Sequence, residues 1–177
     1  ELHCRWIAEM LAKRYAVEVL TTCAIDHVTW ENVYPPGCQE VNGIPVRRFP
    51  VSTQRNKRCF EKLSNKLFGL QQMQDQSDQV EWMRQLGPYS PEMFKFIEDN
   101  KDAYDLFIFF TYLFATTYFG LPLVKEKALF VPTAHDEAFI RLTTLNNVFK
   151  GIGGLLFNSS EEKELVHRLF KNQDVPH

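Results

Sequence analysis

A chain of 177 residues is about one domain's worth, and at that length about 70% of the unfolded surface is buried, so no disulfide or metal staple is needed. With 45% hydrophobic and 24% charged residues it is too apolar for a disordered chain. Its 20 Lys+Arg against 22 Asp+Glu give a net charge of −2, without the positive excess of a nucleic-acid-binding surface.

Fifteen Phe, six Tyr and three Trp make the chain 14% aromatic, which predicts a core or cleft lined with rings. Cysteines at 4, 23, 38 and 59 form no C-x-x-C pair and have no downstream His pair. They are read as reduced thiols of an intracellular, cytoplasmic protein rather than as a zinc site or disulfide framework.

The chain starts at Glu1 inside a helical pattern and without Met, and reads as a piece of a longer protein. Residues 1–14 are a predicted helix with Leu2, Trp6, Met10 and Leu11 on its buried stripe. Ala16–Thr21 is a strand, and residues 22–37, with Asp26, Pro35, Pro36 and Gly37, are a loop. Asn42-Gly43 sits between apolar alternations and predicts a hairpin, with Val46–Phe49 as the next strand. After Asn56, Phe60, Leu63, Leu67 and Phe68 repeat at helical spacing, and the Gln- and Asp-rich residues 71–79 follow as a solvated turn or helix end. Ser90 caps a helix with Pro91 in its first position and Met93, Phe94 and Ile97 inward.

Residues 106–124 are nineteen uncharged residues, long enough for a membrane span. Five of them are Thr or Tyr, and Gly120 and Pro122 interrupt the far end. A strand at Leu106–Phe110, a short turn and a buried helix at Leu113–Leu121 explain the stretch better. Ala128–Thr133 is a strand, Phe139–Lys150 a helix ended by Gly151, and Leu155–Phe157 a strand. Ser159 and Glu162 form a capping box before the helix Lys163–Phe170. Gly151-Ile152-Gly153-Gly154 precedes a strand instead of following one, so it is a turn and not a dinucleotide fingerprint. Strands alternating with helices predict an α/β fold with a mostly parallel sheet and helices on both faces.

Ligands of such sheets bind outside the carboxyl ends of the strands. Those ends carry Thr21-Thr22, Arg48, Thr111-Tyr112, the run from Thr133 to Glu137, and Asn158-Ser159. His135 follows a buried strand directly, where its imidazole can bind a substrate hydroxyl or steady developing charge; the competing assignment is a His satisfied by a backbone carbonyl. Tyr112, Asp136, Glu137, Asn158 and Ser159 are further substrate-binding candidates, and Arg48 is a candidate acceptor contact. His135-Asp136-Glu137 is a poor metal site, because neighbouring residues seldom converge on one ion. From Arg47 to Lys66 seven basic residues face one acid, Glu61. They form either the solvated side of a surface helix or a peripheral contact with an anionic membrane or a lipid-linked acceptor.

ELHCRWIAEMLAKR, AVEVLTT, NGIPVRRFPV, GPYSPEMFKFI, DLFIFFTYLFATTYFGLP, VPTAHDEAF and LLFNSSEE, in this order and spacing, resemble the amino-terminal half of a GT-B glycosyltransferase of glycosyltransferase family 4 (group 1). The resemblance runs nearly end to end. It implies a Rossmann-like three-layer sandwich over residues 1–177, the acceptor-side domain of an enzyme that transfers a sugar from a nucleotide-sugar donor, such as a UDP- or GDP-sugar, with retention. The acceptor would be a saccharide or lipid-linked, in polysaccharide or glycolipid biosynthesis. His135 matches the family's cleft His beside the transferred sugar, and the resemblance implies no cofactor and no bound metal. The family's first strand with its glycine-rich loop, and the whole carboxyl-terminal donor-binding domain, have no counterpart in this sequence, so the 177 residues alone are expected to be inactive. The alternative is a non-catalytic Rossmann-like module binding a small ligand or partner protein at the same strand ends.

Overall fold

The computed structural model describes residues 2–69 and 75–177. The fold is α/β, with helices α1 (Leu2–Leu11), α2 (Lys57–Phe68), α3 (Gln76–Leu86), α4 (Pro91–Asn100), α5 (Ala115–Gly120), α6 (Asn146–Phe149) and α7 (Ser160–Phe170). Strands β1 (Val19–Thr22), β2 (Gly37–Val41) and β3 (Ile44–Phe49) form one sheet in the order β1-β3-β2. Strands β4 (Phe107–Phe110), β5 (Ala128–Val131) and β6 (Gly154–Leu155) form a second, in the order β4-β5-β6. In place of the single expected sheet there are two three-stranded ones. The second is wholly parallel, whereas β3 runs parallel to β1 and antiparallel to β2.

Local chemistry sets the element ends. Asn42 and Gly43, at φ of 52° and 78°, make the two-residue turn joining β2 to β3, as the Asn-Gly pair predicts. The Ser90 hydroxyl accepts from Met93 N at 3.4 Å ahead of Pro91, and the Ser159 hydroxyl accepts from Glu162 N at 3.2 Å. Lys171, left-handed at φ 49°, closes α7. The apolar stretch resolves into β4, α5 and a 3₁₀ turn at Leu121–Leu123; among the described residues no helix is long and apolar enough to cross a membrane.

Several expectations give way. Leu2, Trp6 and Met10, predicted to face the core, are 56%, 57% and 68% exposed, and α1 buries only Ala8. Leu11, the fourth residue of the stripe, is half-buried, so the stripe is covered only at its carboxyl end. The helix expected over Phe139–Lys150 is broken into 3₁₀ turns at Ala138–Arg141 and Thr143–Leu145 followed by α6. The cause lies elsewhere in the chain: Gln79, fully buried on α3, accepts from Thr143 Oγ1 at 3.2 Å and Thr144 N at 3.1 Å, fixing a non-helical corner at two β-branched residues of low helix propensity. The polar stretch 71–79 lies outside the described residues at 71–74, and from Gln76 onward it is α3.

The larger core wraps the second sheet. Trp82 lies between Phe60 and Phe139, stacked on both at ring separations of 5.6 Å and 5.3 Å, and its indole N–H donates to Ser64 Oγ at 2.9 Å. Thus α2 and α3 are locked onto the 138–145 corner. A smaller cluster of Phe49, Met93, Ile97, Phe107 and Val124, with Leu20 against it, joins strands of both sheets beneath α4.

Candidate functional site

Two neighbouring parallel strands, β4 and β5, end in strained backbone. Thr111, just beyond β4, and Thr133, two residues beyond β5, have φ of 57° and 53°. For a β-branched residue this left-handed conformation costs about 1–3 kcal/mol and clusters where geometry is tied to function. Hydrogen bonds hold it. Thr111 N donates to Val131 O at 2.9 Å and Tyr112 N to Pro132 O at 3.0 Å, so the two strand exits run side by side.

The turn after Thr133 is fastened from several directions. Ala134 N donates to the Glu162 carboxylate at 2.6 Å, and Glu137 N donates to His135 O at 2.9 Å. Arg141 bonds the Glu137 carbonyl at 2.8 Å and pairs with Asp136, with Arg168 3.8 Å from the other Asp136 oxygen. Glu162 is buried on α7, and its second oxygen accepts from Asn158 N at 2.7 Å and Asn158 Nδ2 at 3.1 Å. One carboxylate therefore ties the β5 exit to the β6 exit. The residue was readable as half of a capping box, but no local pattern announces that it reaches two loops.

Between these exits lies an open groove of about 480 Å³. His135, Asp136, Asn158 and Ser159 all line it, with Glu162 and Arg168 of α7. Within this fastened frame the His135 side chain is exposed and has no hydrogen-bond or ion-pair partner among the described residues. The backbone-carbonyl alternative for His135 has no geometric support. Ser159 is committed to capping α7, and Asn158 to Glu162.

Three candidates stand elsewhere. Tyr112 is fully buried and its hydroxyl donates to Glu137 Oε1 at 2.5 Å; burial first and the carboxylate second push the phenol far above its ordinary value. As a correction to its expected place in the cleft, it anchors Glu137 from inside, because the left-handed Thr111 turns the next side chain into the core. Glu137 is therefore engaged and, like Tyr112, is no part of the groove wall. Arg48, on β3 in the other sheet, lies over the Tyr34 ring at 4.9 Å and bonds Gln39 at 3.2 Å. The structure does not bring it to the groove.

Among the described residues no group of three or more His, Cys, Asp or Glu could hold a metal ion, and Cys23, Cys38 and Cys59 are free thiols. No family model, curated protein or solved structure matches the chain.

Proposed function

We propose that this chain is the acceptor-side, Rossmann-like half of a retaining GT-B glycosyltransferase, moving a sugar from a nucleotide-sugar donor to a saccharide or lipid-linked acceptor. Strand order supports the fold part of this reading. If the family's first strand is counted as 1, then β1, β3, β4, β5 and β6 take places 2, 3, 4, 5 and 6. The pairings β3-β1 and β4-β5-β6 are then the two arms of the doubly wound order 3-2-1-4-5-6. A strand supplied between β1 and β4 makes one mostly parallel sheet with helix layers on both faces.

The observation that carries the function is His135: an exposed, unpartnered imidazole at the carboxyl end of a central parallel strand, in a groove whose other polar groups are largely engaged. In retaining transfer the bond between sugar and donor phosphate breaks as the acceptor hydroxyl bonds the same face of the anomeric carbon, and the hydroxyl proton passes to the leaving phosphate. His135 orients the sugar and steadies charge as that bond lengthens. The test is nucleotide release by the full-length protein from UDP-, GDP- and ADP-sugars. Selective hydrolysis of one donor supports the reading and names the nucleotide. If no donor is hydrolysed and none raises the melting temperature, the non-catalytic binding module takes its place.

A further inference from the structure

The loop between β1 and β2 holds apolar side chains out in solvent: Ile25, Val28, Val33 and Tyr34 are 52%, 60%, 51% and 43% exposed. The loop is built, not slack. Asp26 accepts from Val28 N at 2.7 Å and Thr29 N at 2.9 Å, and Val33 N and Tyr34 N both donate to Cys23 O at 2.9 Å. The Asn32 side chain exchanges two hydrogen bonds with the Val51 backbone, at 2.9 Å and 2.8 Å. The buried Trp30 pins the centre through its indole N–H to Leu86 O at 2.8 Å. Aliphatic side chains fixed outward on so ordered a scaffold mark a contact surface.

Two arginines pack against this loop, Arg48 at its surface and Arg55 turned inward to the Leu86 carbonyl. Arg48 lies 4.9 Å over the Tyr34 ring, and Arg55 lies 5.5 Å from the Trp30 ring and donates its backbone N–H to Thr29 O at 2.9 Å. Two residues beyond Arg55, α2 begins; its Arg58 and Lys62 are exposed, one turn apart, and have no ion-pair partner among the described residues. The acids nearby include Asp26 and Glu31 of the loop, Glu61 of α2 and Glu92 of α4, which like Arg48 is near enough to act on Cys23, with Asp26 already capping Val28 and Thr29.

We propose that the 25–34 loop and the basic start of α2 form a peripheral contact with an anionic phospholipid surface. Ile25, Val28 and Val33 enter the boundary between headgroups and acyl chains, Tyr34 sits at headgroup level, and Arg48, Arg58 and Lys62 meet the lipid phosphates. This rests on the loop and its charges alone, not on glycosyl transfer, so it stands or falls independently of that activity.

The test is cosedimentation of the full-length protein with vesicles of phosphatidylcholine alone or mixed equally with phosphatidylglycerol. The expected result is binding to the mixed vesicles only, weakened by high salt. The double variant Val28→Ser, Val33→Ser is expected to bind at least about ten-fold more weakly, since each buried aliphatic side chain contributes about that factor. Arg58→Gln with Lys62→Gln is expected to bind about ten-fold more weakly or worse. Both variants should keep the wild-type melting temperature, their side chains being exposed. Wild-type protein left in the supernatant of the mixed vesicles overturns the proposal. So does a loop variant that binds them as the wild type does, or one that only dissolves a dimer of this chain.

Discussion

Glu162→Gln keeps the side chain's volume and removes its charge, so no cavity term enters the comparison. In the wild type the carboxylate accepts from Ala134 N, Asn158 N and Asn158 Nδ2. An amide has one acceptor oxygen and turns its NH₂ toward the other loop, leaving Ala134 N or Asn158 N facing a donor. Asn158 is exposed and can recruit water, whereas Ala134 is buried at 4% exposure and cannot. Orphaning one buried N–H and losing charge-assisted bonds costs about 2–3 kcal/mol. At about 2–4 °C per kcal/mol for a chain of this size, the melting temperature should fall by about 5–10 °C. Glu161→Gln is the control. It removes the neighbouring first-turn charge from an exposed side chain that bonds the Ser160 hydroxyl and neither Ala134 nor Asn158. Urea unfolding of the wild type and both variants gives the difference. If Glu162→Gln costs no more than Glu161→Gln, the carboxylate does not tie the two strand exits together and the account of the groove fails.

Trp82→Ala should cost about 3–5 kcal/mol in chemical unfolding, because it removes the ring between Phe60 and Phe139; a loss below about 1 kcal/mol would contradict that packing. Gly87→Ala should lose at least about 2 kcal/mol, since the residue sits at φ 73° and an added Cβ would come within 2.4 Å of Trp30 Nε1; a neutral result would refute the close approach. Burial, with His177 and Lys163 nearby, holds the His167 imidazole below its ordinary 6.5. The unfolded chain takes that proton first, so this group's share of stability is complete above about pH 6.5 and is lost as pH falls toward the folded value. His167→Gln should therefore flatten the decline of stability below that pH, and an unchanged slope would remove the assignment.

Local signals carried well from sequence to structure. The Asn42-Gly43 turn, the Ser90-Pro91 helix start and the Ser159 cap each depend on residues a few positions apart. What escaped depends on distant partners. Gln79 reads as solvated in a polar stretch, yet it is buried because it satisfies backbone more than sixty residues away. The α1 stripe reads as core because amphipathicity states which face wants burial, not whether anything lies against it. At the site, His135 was legible because the carboxyl-end rule applies to any residue following a buried strand. Tyr112 was misplaced because side-chain direction was extrapolated through Thr111, whose left-handed backbone no residue type there predicts. Glu162 was legible as a cap and not as a bridge, since its second loop is 28 residues back along the chain.

The central claim is tested most directly by His135→Ala in the full-length protein, measuring turnover of the selected nucleotide-sugar beside the melting temperature. His135 is exposed and unpartnered, so the fold should be unchanged, while turnover falls by about 10²-fold, the scale of one lost charge-stabilising donor. Unchanged turnover, or a loss matched by unfolding, would contradict the assignment of His135 to the transferred sugar.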